Sequence, residues 1–331
     1  CFGIQKITLV NKIMALHGVG VGGGSLVYAN TLLTPEDYIF QSERWPEGIE
    51  WEKELSPFYK LARKMLGSVT NKKMYDGEKA IEQLAKDFGV EDSYHPAEVG
   101  VFFGNDGEKY ADPYFSGKGP ERVACNVCGA CMIGCPTGAK NTLDKNYLYF
   151  ARKWGAQVIP ETKVTKKIPS NGEYLIETVS STSIRKNIRT FKAKKVIVAA
   201  GVLGTINLLL KNKLEYKTLP NISEHLGDVV RSNNESLLGV TSFDENINMS
   251  KGIAIGAGMN PDSVTKIEGV RYPEGSDLLR FLAIPLTGSG NLLVRPLKLI
   301  FGLICKLPSV IRLFFTKDWS RSTLILLVMQ S

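Results

Sequence analysis

The segment KKVIVAAGVLGTINLLLKNK, residues 194–213, constrains the fold more strongly than any other part of this sequence. An uncharged apolar run ends in AAG and continues at once into a second apolar stretch, which predicts a buried strand that turns tightly into a helix. Before it, QVIPETKVTKKI and EYLIETVSS favour strands, and NTLDKNYLYFARKWGA favours a helix that ends at Gly155. Strands and helices that alternate in this way from about residue 140 indicate an α/β fold.

Residues 36 to about 118 have a different pattern, in which acidic, basic and aromatic residues alternate. Apolar residues at helical spacing in WEKELSPFYKLARKML and GEKAIEQLAKDFGV predict two helices of a cap over another part of the molecule. After about residue 226 the pattern becomes irregular. A length of 331 residues is sufficient for two cores, because domains contain about 150 residues on average.

The chain is basic, with 41 Lys and Arg residues against 33 Asp and Glu residues and a formal net charge of +8. This charge favours anionic partners, such as a cofactor diphosphate, an acidic lipid surface or nucleic acid. The sequence has no zinc-finger, basic-zipper or aromatic RNA-binding signature. We therefore expect no nucleic-acid partner.

The segment 292–330 is apolar but is interrupted by Arg295, Lys298, Lys306 and Arg312. Its longest uncharged run is far shorter than the roughly 18 residues that a membrane-spanning helix needs, so we expect that it does not span a membrane. Two alternatives remain. One is a buried helix pair whose Lys and Arg side chains reach solvent, and the other is an interfacial surface that rests on lipid.

The stretch HGVGVGGGSLVYAN fits the dinucleotide-binding pattern G-x-G-x-x-G at Gly18, Gly20 and Gly23. That pattern requires a helix after the glycines. The residues that follow lack helical periodicity, and Pro35 ends any helix early. The match is therefore a weak indication of a first dinucleotide-binding turn.

Four of the six cysteines, Cys125, Cys128, Cys131 and Cys135, form the pattern C-x2-C-x2-C-x3-C-P. This is the spacing of the bacterial ferredoxin run, which holds iron–sulfur clusters. A [4Fe–4S] cluster, a four-thiolate zinc site, one or two disulfides and reduced structural thiols all remain open from the sequence. Cys1 and Cys305 are isolated.

Three segments together resemble the glucose-methanol-choline (GMC) flavin oxidoreductases, in particular their cholesterol oxidase-like branch. They are GVGVGGGSLVYANTLL, CNVCGACMIGCPTGAKNTLDKNYLYFARKWGAQV and KKVIVAAGVLGTINLLLK, and they occur in the order found in that family. The resemblance implies an incomplete FAD-binding, doubly wound (Rossmann-like) domain with a second α+β substrate domain. It also implies that the family's N-terminal FAD fingerprint and C-terminal catalytic His region lie outside this chain.

Three regions follow from the resemblance. Residues 1–140 would carry the flavin-contacting glycine loop, the helical cap and the cysteine run. Residues 141–226 would form part of the FAD-binding domain, and residues 227–331 would form a truncated substrate-binding domain.

By the same resemblance, FAD would be held by two glycine turns, by the residues that follow the first turn and by one strand residue. Successive glycines let backbone N–H groups approach phosphate or isoalloxazine oxygens without a Cβ in the way. The family often has Asn or His where Tyr28 stands, so the flavin contact is expected to differ there. The implied FAD-binding residues are Gly22, Gly23, Gly24, Ser25, Tyr28, Ala29, Asn30, Thr31, Val164, Ala200, Gly201 and Gly204.

One catalytic residue is implied by KIEGVRYPEG, which resembles the stretch that carries the active-site Glu in the cholesterol oxidase-like branch. The match E-x4-P-x-G places this acid at Glu268, where burial in an apolar cavity would raise its pKa. The alternative is a solvated loop glutamate. The three histidines, His17, His95 and His225, are expected to be structural or exposed.

The implied function is FAD-dependent oxidation of the CH–OH group of an alcohol, hydrophobic or sterol-like, to a ketone. Electrons would pass to oxygen or to an electron-carrier acceptor. The alternative is a flavin electron-transfer dehydrogenase with an iron–sulfur cluster and a protein or quinone acceptor. A peripheral membrane contact is a further expected partner.

Overall fold

The computed structural model describes residues 4–10, 13–288, 290–291 and 293–330. The strands in these ranges are β1 (Gln5–Val10), β2 (Ile13–Gly18), β3 (Val69–Thr70), β4 (His95–Pro96), β5 (Glu98–Val99), β6 (Lys109–Tyr110), β7 (Arg122–Val123), β8 (Thr162–Ser170), β9 (Glu173–Ser180), β10 (Ile188–Ala193), β11 (Glu235–Thr241), β12 (Ile255–Met259), β13 (Thr265–Val270) and β14 (Thr323–Gln330). The α-helices are α1 (Asp37–Phe40), α2 (Trp51–Leu66), α3 (Asp76–Asp87), α4 (Tyr147–Lys153), α5 (Gly201–Leu210), α6 (Val294–Cys305), α7 (Leu307–Phe315) and α8 (Trp319–Ser322).

The central sheet has five antiparallel strands in the order β11-β14-β13-β12-β4. One face packs on α3, where Ile81 contacts a core that includes Met259 and Ile267. The other face contributes Ile255 and Val270 to a second core, shared with the cysteine run. Because side chains alternate along a strand, Ile267 and Glu268 lie on opposite faces of this sheet.

A buried ion pair fastens α3 to the central sheet. The Arg271 guanidinium donates to the Glu78 carboxylate at 2.6 Å, and both side chains are almost fully buried. Arg271 also donates to the Lys251 carbonyl oxygen at 2.5 Å. A Cβ at Gly77 or Gly252 would collide with the guanidinium, so both glycines are required for its close approach.

A second, three-stranded sheet has the order β10-β9-β8 and lies against α5. Asn212, in the π-helical turn Lys211–Glu215 after α5, accepts from the backbone N–H of Lys167 and donates to the Thr165 carbonyl oxygen. The strand predicted just before α5 is not formed, and Ile197 is 91% exposed. The reason is that no described strand lies beside this run to complete a hydrogen-bonded ladder.

The mixed α/β class is confirmed, and so are the helices predicted in WEKELSPFYKLARKML and GEKAIEQLAKDFGV. The helix predicted before Gly155 is shorter than expected, because α4 follows a separate 3-10 turn at Leu143–Lys145. The irregular pattern expected after residue 226 is wrong, since β11 to β14 supply four strands of the central sheet.

The C-terminal segment folds as the helix pair α6 and α7, but the prediction that this pair is buried is wrong. Leu297, Phe301 and Ile304 on α6 are exposed, and Phe315 at the end of α7 is 83% exposed. Among the described residues, no helix combines the length and the hydrophobicity needed to cross a bilayer.

Candidate active site

The glycine loop, residues 18–25, leaves β2 and turns into the short 3-10 helix Gly23–Leu26. No α-helix follows the glycines at this point, as the sequence predicted. Gly18 is tightly packed, because a Cβ there would lie 2.3 Å from the Gly23 carbonyl oxygen. A Cβ at Gly23 or Gly24 would meet nothing within 4 Å. The outer backbone of the loop therefore borders open space into which a ligand can fit.

Lys140 fastens the glycine loop to the cysteine run, and it is not among the residues predicted from the sequence. Its ammonium group donates to the carbonyl oxygens of Leu26 at 2.9 Å, Tyr28 at 3.0 Å and Cys131 at 2.5 Å. The side chain is fully buried, and this burial lowers the pKa of Lys140 to about 8. The ammonium group also lies 4.7 Å from the centre of the Tyr28 ring.

Ser25, Tyr28 and Asn30 use their polar groups within the protein. The Ser25 hydroxyl donates to the Gly22 carbonyl oxygen at 2.6 Å and accepts from the Leu143 N–H at 3.0 Å. The Tyr28 hydroxyl donates to the Asn141 carbonyl oxygen at 3.2 Å. The Asn30 amide exchanges hydrogen bonds with the backbone of Ile255 in β12, which ties the end of the loop to the central sheet.

The two other predicted residues of this stretch, Ala29 and Thr31, differ in environment. Ala29 packs against the core that the central sheet shares with the cysteine run. The Thr31 hydroxyl oxygen is buried and has no hydrogen-bond partner among the described residues. A buried hydroxyl without a partner is the kind of group that a bound ligand satisfies.

The remaining predicted FAD contacts lie on the second sheet and on α5. Val164 is an exposed residue of β8, next to a register shift in its pairing with β9. Ala200 precedes α5, Gly201 begins it with a φ of 69°, and a Cβ at Gly201 would meet nothing within 4 Å. Within the described ranges, no hydrogen bond joins Val164, Ala200, Gly201 or Gly204 to the glycine loop.

The four cysteines of the run are free thiols. The Cys125 sulfur accepts from the Val127 N–H, the Cys131 sulfur from the Ala254 N–H, and the Cys135 sulfur from the Lys140 N–H. Burial raises the pKa of Cys125 to about 11 and that of Cys131 to about 12.

The structure gives no support for a metal at the cysteine run. Across the described residues, no three His, Cys, Asp or Glu side chains form a group that could hold a metal ion. Cys125, Cys128, Cys131, Cys135 and Cys305 are free thiols in the described structure, which agrees with the reduced-thiol alternative.

An open cavity of about 1460 Å³ borders the glycine loop and the cysteine run. Leu26 and Ile133 contribute apolar surface, while Lys145, Arg152 and Lys153 make its far side basic. A cavity of this size and charge suits an anionic ligand that carries an apolar ring.

Glu268 lies in β13, between Gly258 of β12 and Leu327 of β14. Its residue exposure is 3%, and neither carboxyl oxygen has a hydrogen-bond partner in the described part of the chain. Burial raises the pKa of Glu268 to about 7, while Lys266 lowers it and Glu235 raises it by smaller amounts. The solvated-loop alternative is therefore wrong, because this carboxyl is buried in a strand.

His95 is a residue near Glu268 for which the sequence predicts only a structural or exposed position. His95 lies in β4 and pairs with Gly258 of β12, on the side of β12 opposite to Glu268. Its Nδ1 lies 2.9 Å from the Ser93 carbonyl oxygen. The only sequence signal was its position next to Pro96 before a strand-like run. His17, bonded to Thr8, and His225, exposed beside Asp228, occupy structural and surface positions.

Comparison with known proteins gives one family match and several relatives. Residues 120–229 match the model of the family described as GMC oxidoreductase. A protein of Acinetobacter baumannii named cholesterol oxidase is 39% identical over this whole chain, which covers 61% of that protein. A protein of the same name from Mycobacterium tuberculosis (strain CDC 1551 / Oshkosh) is 41% identical, and the chain covers 59% of it. The chain thus spans about three fifths of the length of these relatives.

Proposed function

We propose that the complete protein is an FAD-dependent oxidoreductase of the GMC family, a proposal supported by the family match over residues 120–229 and by the two similar proteins. It oxidises the CH–OH group of a hydrophobic, sterol-like alcohol to a ketone and passes the electrons to oxygen. The observation that carries this proposal is the buried Glu268 carboxyl, which has no hydrogen-bond partner among the described residues. Its position agrees with the acid expected in the cholesterol oxidase-like branch.

The residues of the glycine loop fit FAD through their backbone. Gly23 and Gly24 border open space, and the buried hydroxyl of Thr31 is available for a ligand atom. Gly201, at the start of α5, offers a second glycine turn for the cofactor. Ser25 and Asn30 hold the loop in shape, because their side chains are hydrogen-bonded within the protein. When bound, FAD accepts the hydride of the alcohol carbon.

Glu268 supplies the proton chemistry on the substrate side. A pKa of about 7 makes both the carboxylate and the carboxylic acid available near neutral pH. After oxidation of a 3β-hydroxysterol, the carboxylate takes a proton from the carbon between the new carbonyl and the double bond. The resulting acid returns a proton to the far end of the double bond, which produces the conjugated enone.

An electron path through iron at the cysteine run has no support, because no three potential metal ligands form a group among the described residues. The electron-transfer alternative therefore has no observation in its favour. Oxygen remains the proposed acceptor.

The test is sterol turnover by the complete protein reconstituted with FAD. We expect peroxide release with a 3β-hydroxysterol and none with its 3-keto analogue, which has no hydride to give. Peroxide release with a short alcohol but not with the sterol would narrow the proposal to an alcohol oxidase. No oxidation of any secondary alcohol, with oxygen or with an artificial dye as acceptor, would contradict it.

The helix pair α6 and α7 is proposed to rest on an anionic lipid surface. Its exposed apolar residues include Phe301, Ile304 and Phe315. The pair carries Arg295, Lys298, Lys306 and Arg312 but no acidic residue. A helical surface with apolar residues and basic charge is typical of interfacial binding to anionic membranes.

Sedimentation with lipid vesicles tests this contact. We expect the complete protein to bind vesicles that contain phosphatidylserine, and Phe301→Ser to weaken binding. Phe58→Ser removes an exposed aromatic ring of α2, outside the helix pair, and serves as the control. Equal sedimentation of wild type and Phe301→Ser would contradict the proposed surface.

A further inference from the structure

Three antiparallel strands place His95, Gly258 and Glu268 side by side on one face of the central sheet. Gly258 of β12 is the direct partner of His95 in β4 and of Glu268 in β13. Directly opposite residues of antiparallel strands project to the same face. Gly258 has no side chain, so the space between the imidazole and the carboxyl is not filled by the residue that separates them.

The size of this gap follows from the position that a side chain at Gly258 would take. A Cβ there would lie 3.1 Å from the His95 Nε2 and 3.4 Å from the Glu268 Cγ. One methyl group would therefore touch both side chains. The two side chains make no direct hydrogen bond or ion pair with each other in the described structure. Two polar groups that flank an unfilled space without direct contact can be bridged by a single water.

The tautomer of His95 is set by its other nitrogen. The Ser93 carbonyl oxygen can only accept, so the Nδ1 at 2.9 Å carries the hydrogen and donates it. The Nε2 then has a free lone pair, and it faces the gap beside Glu268. A protonated Glu268 carboxyl is a donor, so the two groups are complementary.

Burial and nearby charges shift the pKa values of both groups toward the neutral form of each side chain. Burial is the largest cause of the raised pKa of Glu268 and of the lowered pKa of His95. Lys266 acts on both groups, Glu235 acts on Glu268, and Glu36 acts on His95. Glu268 is buried whereas His95 is only partly buried, so the imidazole is the more solvent-accessible of the two side chains.

We propose that His95 is a positioning residue that relays protons between Glu268 and solvent, through one water in the space left by Gly258. This inference rests on the proposed function of Glu268. In the outward step the carboxyl O–H bond breaks, its proton moves to the bridging water, and that water gives a proton to Nε2. The resulting imidazolium then releases its Nε2 proton to bulk water that reaches the partly exposed ring, while the Nδ1–H stays bonded to the Ser93 carbonyl oxygen, and the reverse sequence reprotonates the carboxylate.

The first experiment measures the pair without turnover. His ring resonances of the complete, selectively labelled protein are titrated by NMR, and His95 is assigned with the His95→Gln variant. Ionisation of Glu268 stabilises the imidazolium and the two groups titrate as a coupled pair, so Glu268→Gln should move the His95 titration curve to lower pH. The ring of His225, which pairs with Asp228, is the internal control and should not move. An unchanged His95 midpoint would overturn the proposal.

The second experiment follows the proton itself. Enone formed from the sterol in heavy water is analysed for deuterium by mass spectrometry. A relay lets solvent deuterium enter the product, so His95→Gln and Gly258→Ala should each lower its deuterium content severalfold. His225→Gln is the matched control and should leave it unchanged. Wild-type deuterium content in both test variants would overturn the relay.

The two experiments separate the relay from the function on which it rests. If the wild type forms no enone, the proposed sterol chemistry fails, while the NMR titration still decides whether His95 and Glu268 are coupled. If enone forms and the titration midpoint does not move, only the relay fails.

Discussion

The central sheet and the second sheet with α5 differ in how far their candidate functional residues are buried by contacts within the chain. In the central sheet, Glu268 and its neighbours are buried between two cores, and the Arg271–Glu78 ion pair fastens the adjacent helix. In the second region, Val164 and Gly201 are exposed, and the run before α5 has no neighbouring strand among the described residues. The proposed substrate side is thus built from contacts within the chain, whereas the proposed cofactor-binding residues of the second region are exposed.

The largest expected effect is on the buried ion pair of the central sheet. Arg271→Met leaves the Glu78 carboxylate buried without its partner, so the free energy of unfolding should fall by about 3–5 kcal/mol. Lys86→Met on the same helix removes only an exposed pair with Glu82 and should cost about 0–1 kcal/mol. Urea unfolding of both variants measures this difference. Equal losses of unfolding free energy in the two variants would contradict the claim that buried contacts hold the central sheet together.

Two isoleucines compare the regions directly. Ile255 lies in the core beside the central sheet, and Ile255→Ala should cost about 2–5 kcal/mol of unfolding free energy. Ile197 is 91% exposed, so Ile197→Ala in the 331-residue chain should change the unfolding free energy by at most about 0.5 kcal/mol. The same urea experiment checks both. A large loss for Ile197→Ala would mean that this run is packed, and the comparison would fail.

Lys140 joins the glycine loop to the cysteine run and should give stability a distinctive pH dependence. Its folded pKa of about 8 is below the ordinary value of 10.5. Between these values the unfolded chain binds a proton that the folded chain has lost, so stability should rise with pH by up to about 1.4 kcal/mol per pH unit. Below pH 8 Lys140 is protonated in both the folded and the unfolded chain, so it no longer makes stability depend on pH.

The measurement is the urea midpoint from pH 7 to 10 for the wild type and Lys140→Met. Methionine fills the same space without a titrating group, so the rise should be absent in the variant. Parallel pH curves for the two proteins would show that Lys140 titrates normally.

The last comparison, of thiol reactivity, needs no substitution. Thiolates are the reactive form, so the raised pKa and burial of Cys131 should make its alkylation at pH 8 at least about 100-fold slower than that of the exposed Cys305. Mass spectrometry of the alkylated peptides gives both rates. Similar rates, or bound iron in the purified protein, would reopen the metal-site hypothesis for the cysteine run.

Several features could be predicted from the sequence because they depend on local pattern. The helical spacing in residues 51–66 and 76–87 is sufficient to specify α2 and α3. The motif E-x4-P-x-G located Glu268, and its predicted burial agrees with the structure. The position of Pro35 correctly excluded a long helix after the glycine loop.

Other features depend on residues far apart in the chain. The Lys140 ammonium donates to the carbonyl oxygens of Leu26 and Tyr28, which lie more than a hundred positions away in the chain. No local sequence pattern predicts these hydrogen bonds. The cysteine spacing suggested a metal site, but three of the four sulfurs accept from three different backbone N–H groups. His95 reaches Glu268 only because β4 pairs with β12, and this pairing is not visible in the sequence.

The central claim is that the buried Glu268 carboxyl moves a proton in the conversion of a sterol-like alcohol. The most direct test compares two rates of the complete, FAD-loaded Glu268→Gln variant on a 3β-hydroxysterol, namely peroxide release and appearance of the ultraviolet band of the enone. Enone formation should fall by about 10²- to 10⁴-fold while oxidation is retained, because hydride transfer does not require this proton shuttle. Enone formation at the wild-type rate would contradict the assignment of Glu268.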